Sequence, residues 1–71
     1  MKERNVYGYK VKYEENAKMG IRYLAEDLDR KEAQVFFDQA RLKGEAPFED
    51  DQERQFTLIY NRDRTFTLIR R

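Results

Sequence analysis

Residues with the chemistry to act on a substrate are few in this 71-residue chain. It contains no histidine, cysteine or serine, so the usual general base, the common nucleophiles and the imidazole and thiolate metal ligands are missing. The closest cluster of side chains that could act in catalysis or bind a metal is the acidic run Glu49, Asp50, Asp51 and Glu53. Because this run follows Pro47 and lacks the spacing and glycine of a calcium loop, we interpret it as a solvated loop. We therefore expect no catalytic, cofactor-binding or metal-binding residue, no small-molecule substrate and no enzymatic activity.

The aromatic and basic stretch Tyr7–Tyr13 (YGYKVKY) points to a different chemistry, because tyrosine rings can stack on nucleic-acid bases while lysines hold phosphates. Its aromatic–Gly–aromatic order matches the centre of the RNA-binding sheet motif, but Lys10 stands where that motif has valine. In a strand, the tyrosines lie on one side and Lys10 and Lys12 on the other. The sequence leaves open which side faces the core. Burial of the rings is favoured, because tyrosine often keeps only its hydroxyl in water.

Two strands are predicted in the first third of the chain. One runs from Val6 to Tyr13, and a weaker one covers Met19–Leu24, where apolar residues alternate with other types. Glu14–Asn16 forms the turn that joins them into a hairpin. Gly20 is expected to mark a bulge in the second strand.

A helix is predicted at about 30–43. Asp29 and Glu32 have the spacing of a capping box, and Leu28 can pack on Ala33 as a hydrophobic staple. Apolar residues recur at helical spacing as far as Ala40. Gly44 can adopt the left-handed conformation that ends helices.

A second hairpin is predicted near the end of the chain, where Phe56–Ile59 and Phe66–Ile69 share the order Phe-Thr-Leu-Ile. A loop with an odd number of residues, three or five, places the Phe and Leu side chains of both strands on one face. The simplest version is a three-residue loop with Asp63 left-handed. The opposite face then carries the Thr and Ile side chains.

These elements predict one α+β domain over residues 1–71, in the order ββαββ, with residues 1–4 free to be disordered. Two hairpins form an antiparallel-rich sheet, and the single helix packs on one face. The other face stays open, because one helix cannot cover both. Residues 1–24 and 54–71 are net basic and residues 25–53 net acidic, within an overall charge of +1. This distribution predicts a basic sheet layer beneath an acidic helix layer.

The open sheet predicts a small binding module that presents a basic surface to a protein partner or to itself. The alternative is nucleic-acid binding by the same layer with tyrosine stacking, although the sequence pI of about 8.0 is below the ~9 typical of such domains. The lack of cysteine and of a membrane-spanning apolar run indicates a cytoplasmic protein. The candidate partner-binding residues are Lys10, Lys12, Arg22, Thr57, Ile59, Arg62, Arg64, Thr67, Ile69 and Arg70.

Overall fold

A computed structural model describes residues 1–71 as five strands and two helical regions. The first helical region contains a 3-10 turn (Glu15–Ala17), α1 (Lys18–Arg22) and a π-helical segment (Tyr23–Asp27), and the second is α2 (Arg30–Lys43). The strands are β1 (Lys2–Val6), β2 (Tyr9–Tyr13), β3 (Glu45–Glu49), β4 (Gln55–Tyr60) and β5 (Phe66–Arg70).

The five strands form one mixed sheet in the order β1-β2-β5-β4-β3. The central pair, β2 and β5, is parallel, and every other pair is antiparallel. The α+β class is therefore confirmed, whereas the ββαββ order is wrong by one strand and one helical region. A parallel pair needs a long crossover, and the residues between β2 and β5 supply it.

The stretch Val6–Tyr13, predicted as a single strand, instead contains the end of β1, a turn and all of β2, so it belongs to a hairpin over Lys2–Tyr13. Tyr7 and Gly8 have φ values of 51° and 91°, which are typical of a two-residue hairpin turn. The Gly8 amide donates a hydrogen bond to Asn5 Oδ1 at 2.8 Å. Val6 and Tyr9 form the closing pair, and Lys2 pairs with Tyr13. Residues 2–4 therefore belong to β1, in place of the disorder allowed for at 1–4.

The predicted strand over Met19–Leu24 is wrong, because this segment is helical. The buried residues of the first helical region are Ala17, Gly20, Ile21 and Leu24, which recur at the three- and four-residue spacing of a helix. Gly20 does not mark a bulge. It allows α1 to approach Phe56 so closely that a Cβ at position 20 would lie 2.7 Å from the ring.

The boundaries and caps of α2 are confirmed. The Glu32 amide donates to Asp29 Oδ1 at 2.8 Å, and the Asp29 amide donates to Glu32 Oε1 at 3.0 Å. Gly44 is left-handed at φ 92°, and its amide donates to the Ala40 carbonyl at 2.7 Å. These contacts satisfy backbone groups that a helix otherwise leaves unpaired.

The segment after Gly44 forms β3 (Glu45–Glu49), which ends in the acidic run that the sequence indicates to be a loop. Ala46 and Phe48 enter the core, while Glu45, Pro47 and Glu49 remain exposed. Proline is tolerated here because β3 is an edge strand.

The predicted register of the second hairpin is confirmed. Leu58 pairs with Leu68, and Tyr60 pairs with Phe66, so the aromatic and leucine side chains share one face. The loop has five residues, 61–65, and is therefore odd as required. Arg64 is left-handed at φ 71°, and not Asp63 as in the three-residue version.

Both helical regions pack on one face of the sheet. Ile21 and Leu24 from the first region and Phe37 from α2 join Phe56 and Phe66 in one buried cluster. The expectation that one face is covered and the other open is therefore confirmed. None of the helices has the length and apolar character needed to cross a bilayer.

Candidate functional site

The uncovered side of the sheet is the candidate site, and we call it the open face. Strand register defines its two central rows. The first row crosses all five strands and consists of Glu3, Lys12, Thr67, Ile59 and Glu45. The second row crosses β5, β4 and β3 and consists of Ile69, Thr57 and Pro47.

Six of the ten candidate partner-binding residues lie on the open face: Lys10, Lys12, Thr57, Ile59, Thr67 and Ile69. The other four lie elsewhere. Arg62 and Arg64 are in the β4–β5 loop, and Arg70 belongs to the alternating set of β5 that faces the helices. Arg22 lies on α1 because its segment is helical, and its Nε is 3.8 Å from Glu26 Oε2.

The tyrosines of the first hairpin lie on the helix-covered side of the sheet. Tyr9 stacks on Phe37 with a centroid distance of 4.3 Å, and its hydroxyl accepts a hydrogen bond from Gln34 Nε2 at 2.6 Å. The Tyr7 hydroxyl donates to the Leu28 carbonyl at 2.8 Å. Packing against an apolar core explains this orientation, and it leaves Lys10 and Lys12 on the open face without neighbouring aromatic rings.

The open face carries both signs of charge, in contrast to the expected basic layer. Glu3 lies on the edge strand β1, Lys10 and Lys12 lie on the neighbouring β2, and Glu45 and Glu49 lie on β3 at the other edge. The acidic helix layer is also not found, since α2 carries four cations: Arg30, Lys31, Arg41 and Lys43. Helical placement of Lys18 and Arg22 moves further basic charge out of the sheet.

The β4–β5 loop borders the basic end of the open face. Asn61 Nδ2 donates to Thr67 Oγ1 at 2.9 Å, which connects the loop to β5. Hydrogen bonds from the Thr65 hydroxyl and amide lower the pKa of Asp63, and the nearby Lys12 ammonium lowers it further. Lys12 Nζ lies 3.8 Å from Asp63 Oδ2, so its charge is only loosely paired.

The centre of the open face is apolar. Ile69 is 41% exposed and Ile59 is half-buried, and both flank Thr57. Thr57 is buried at 2% exposure, and its hydroxyl has no hydrogen-bond partner. Ile59 and Ile69, together with Thr57 between them, form a small apolar strip. It lies between a lysine side, formed by Lys10 and Lys12, and a glutamate side, formed by Glu45 and Glu49.

Three further members of the open face, Glu45, Pro47 and Glu49, are absent from the residues predicted from the sequence. The missed signal was the alternation of Ala46 and Phe48 with these polar or exposed residues, which is typical of a half-buried strand. Pro47 concealed the pattern, because proline is depleted in strands.

The acidic run does not form a solvated loop throughout, because Asp50 is buried. Its carboxylate accepts hydrogen bonds from the Gln52 and Arg54 amides and from Arg54 Nε at 2.7 Å. Burial raises the pKa of Asp50, but these hydrogen bonds outweigh burial and hold the pKa below its ordinary value. Beside it lies a cleft of about 330 Å³ whose charged lining consists of two arginines and three aspartates: Arg22, Arg54, Asp27, Asp50 and Asp51. No group of acids in the chain has a metal-binding arrangement.

The two sheet edges are poor templates for another strand. β1 presents the charged side chains of Lys2, Glu3 and Arg4, and β3 contains Pro47. Charged residues and proline are typical of edges that avoid strand addition. Addition of a further strand at either edge is therefore disfavoured.

Comparison of the chain with protein-family models, with curated proteins and with solved structures finds no match.

Proposed function

We propose that this chain is a small non-enzymatic interaction module whose open face binds a protein, and that a second copy of the chain is one such partner. The observation that carries the proposal is the arrangement of the open face: a lysine side on β2, an apolar strip on β5 and β4, and a glutamate side on β3. The absence of His, Cys and Ser supports a binding role over catalysis, and the absence of cysteine suits a cytoplasmic setting.

The open face is complementary to itself under one symmetry operation. A two-fold axis that runs parallel to the strands between β4 and β5 places β5 over β4 of the second copy and β2 over its β3. Lys12 and Glu45 belong to the same row, so Lys12 meets Glu45 of the second copy. The same pair forms twice, as an interface between identical surfaces requires.

The size of the face sets the expected affinity. Four strands about 4.8 Å apart and about 17 Å long cover roughly 300 Å² per copy. Stable interfaces bury about 800 Å² per partner. We therefore expect a reversible dimer with a dissociation constant on the order of 0.1–1 mM.

A charge exchange tests this arrangement. Lys12→Glu and Glu45→Lys each place like charges opposite one another twice, and each is expected to abolish the dimer seen by sedimentation equilibrium and by concentration-dependent NMR line widths. The double variant recreates both pairs with reversed signs and is expected to restore association. Such recovery is not expected if these residues act independently.

Two further variants complete the test. Ile59→Lys puts a charge in the apolar strip and is expected to abolish association while leaving the fold intact. Val35→Lys, an exposed apolar position on α2, is the matched control and should associate as the unmodified chain does. No self-association at about 1 mM chain, or a double variant as monomeric as the single variants, would reject the second copy as a partner.

Nucleic-acid binding is the second candidate, and unpaired cations favour it. Lys10, Arg62 and Arg64 have no carboxylate within 4.0 Å, so they are available to phosphates. The tyrosines face the helices, so bases would not stack on them from the open face. Retention on single-stranded and double-stranded nucleic acid should then weaken steeply with salt, whereas no retention at low salt rejects this candidate.

A further inference from the structure

A second surface with a distinct chemistry lies on the helix-covered side of the sheet, where the end of α2 meets the β4–β5 loop. It is a cleft of about 230 Å³ lined by two cations and three aromatic side chains: Tyr9, Arg41, Tyr60, Arg64 and Phe66. The open face shares none of these residues. Neither the fold nor the proposed interaction accounts for two arginines at one cleft.

Neither guanidinium group takes part in an ion pair. No carboxylate lies within 4.0 Å of Arg41 or Arg64. The acid one turn before Arg41 is Asp38, whose carboxylate accepts a hydrogen bond from Gln34 Nε2 at 2.8 Å. Two like charges that line one cleft repel each other, and an anion between them removes that repulsion. Planar guanidinium groups match the oxygens of phosphate particularly well.

The aromatic wall of the cleft is already formed. The Phe66 ring lies 5.2 Å from that of Tyr60 and 5.4 Å from that of Tyr9, measured between centroids. Phe37 stacks on Tyr9 and also contacts Phe66. These contacts hold the rings in place, so a flat ligand ring can pack on the half-buried Tyr60 without ordering it first.

The cleft is larger than a lone phosphate requires. A second cleft of about 340 Å³ adjoins it, shares Arg41 and Tyr60, and is also lined by Leu42 and by Asp38, the one acid of the two clefts. The joined volume has the size of sites that take small organic ligands. We propose that it binds a nucleoside monophosphate, with the phosphate between Arg41 and Arg64 and the base against Tyr60. This inference does not depend on the open face, which lies on the other side of the sheet.

The test is an NMR titration of the full chain with AMP. We expect saturable shifts at the amides of Arg41, Tyr60 and Arg64, with a dissociation constant on the order of 1 mM or lower, because both arginines are exposed to water. Arg41→Gln and Arg64→Gln are each expected to weaken binding by about fivefold or more. Arg30→Gln, an exposed arginine at the start of the same helix, is the matched control and should leave the affinity unchanged.

Simpler ligands decide between the chemical classes. Adenosine and inorganic phosphate should each bind at least about fivefold more weakly than AMP, because each lacks one half of the recognised group. Equal binding of adenosine and AMP would overturn the role of the arginines. Equal binding of inorganic phosphate and AMP, unsaturable shifts, or full affinity in both arginine variants would overturn the nucleotide site. Self-association can be measured on the same variants, so the two proposals fail separately.

Discussion

Gly20→Ala tests the packing of α1 on the sheet. A Cβ at position 20 would lie 2.7–2.8 Å from three ring atoms of Phe56, whereas carbon atoms in contact are ordinarily about 3.5–4.0 Å apart. The ring would have to move by about 1 Å. Phe56 is fully buried and lies 5.6 Å from the Phe48 ring, so it has little space to move into.

Two opposing effects set the magnitude. Alanine favours a helix over glycine by about 1 kcal/mol, while overpacking a core costs about 1–3 kcal/mol. At this separation we expect a cost in the upper part of that range, about 2–3 kcal/mol, so the free energy of unfolding should fall by about 1–2 kcal/mol. For a domain of this size, the melting temperature falls by about 4–8 °C per kcal/mol. Urea unfolding and thermal denaturation both measure this change.

A double variant isolates the contact. In Gly20→Ala with Phe56→Leu, the smaller side chain leaves room for the new methyl group, so alanine should cost less than it does opposite phenylalanine. The difference between the two costs is expected to be at least about 1 kcal/mol. Stabilisation by Gly20→Ala in the unmodified background would refute the close approach of α1 to Phe56, because helix propensity alone would then account for the result.

Three further substitutions test the other contacts that hold the fold. Asp50→Asn is expected to lower the free energy of unfolding by about 2 kcal/mol at neutral pH, because the buried carboxylate accepts charged and backbone hydrogen bonds. Since the folded pKa lies below the ordinary value of about 3.9, this stabilisation is complete above that pH and is lost as the pH falls through the folded pKa. In urea unfolding, the difference in free energy of unfolding between Asp50→Asn and the unmodified chain should therefore be smaller at about pH 3 than at pH 7. The exposed Asp51→Asn is the control. Thr57→Val should raise the free energy of unfolding by about 1 kcal/mol, because the buried hydroxyl has no partner; a loss of stability would show that the hydroxyl does have one. Tyr7→Phe should cost about 1 kcal/mol by removing the hydrogen bond to the Leu28 carbonyl, and hydrogen exchange in the first hairpin should accelerate, whereas an unchanged melting curve would count against that contact.

Local signals in the sequence were sufficient for α2 and the second hairpin. The Asp29–Glu32 capping box and Gly44 define where α2 begins and ends, and both act within a few residues of the helix termini. The register of β4 and β5 follows from side-chain alternation, because a slip of one residue would turn Leu58 and Leu68 away from the core. The odd loop could be predicted for the same reason.

The sequence alone did not identify the helical fold of residues 18–24 or the strand at Glu45–Glu49. Alternation of Met19, Ile21 and Tyr23 fits a strand. The spacing of Ala17, Gly20 and Ile21 fits a helix equally well, and both patterns extend over only a few residues. Contact between Gly20 and the Phe56 ring distinguishes the two, and these residues lie far apart in the chain. Pro47 argued against a strand at β3, because proline is accepted in a strand only at the edge of a sheet. The edge position of β3 is a property of the tertiary structure.

By itself, the sequence determined which residue types are available, and this excludes thiol and imidazole chemistry. It also determined the elements whose start and stop signals are local. Tertiary structure decided which residues share a surface. The parallel pairing of β2 with β5 brings Lys12 beside Thr67, and the edge position of β3 places Glu45 in the same row. Pairing between distant strands depends on burying one common core, so no local pattern encodes it.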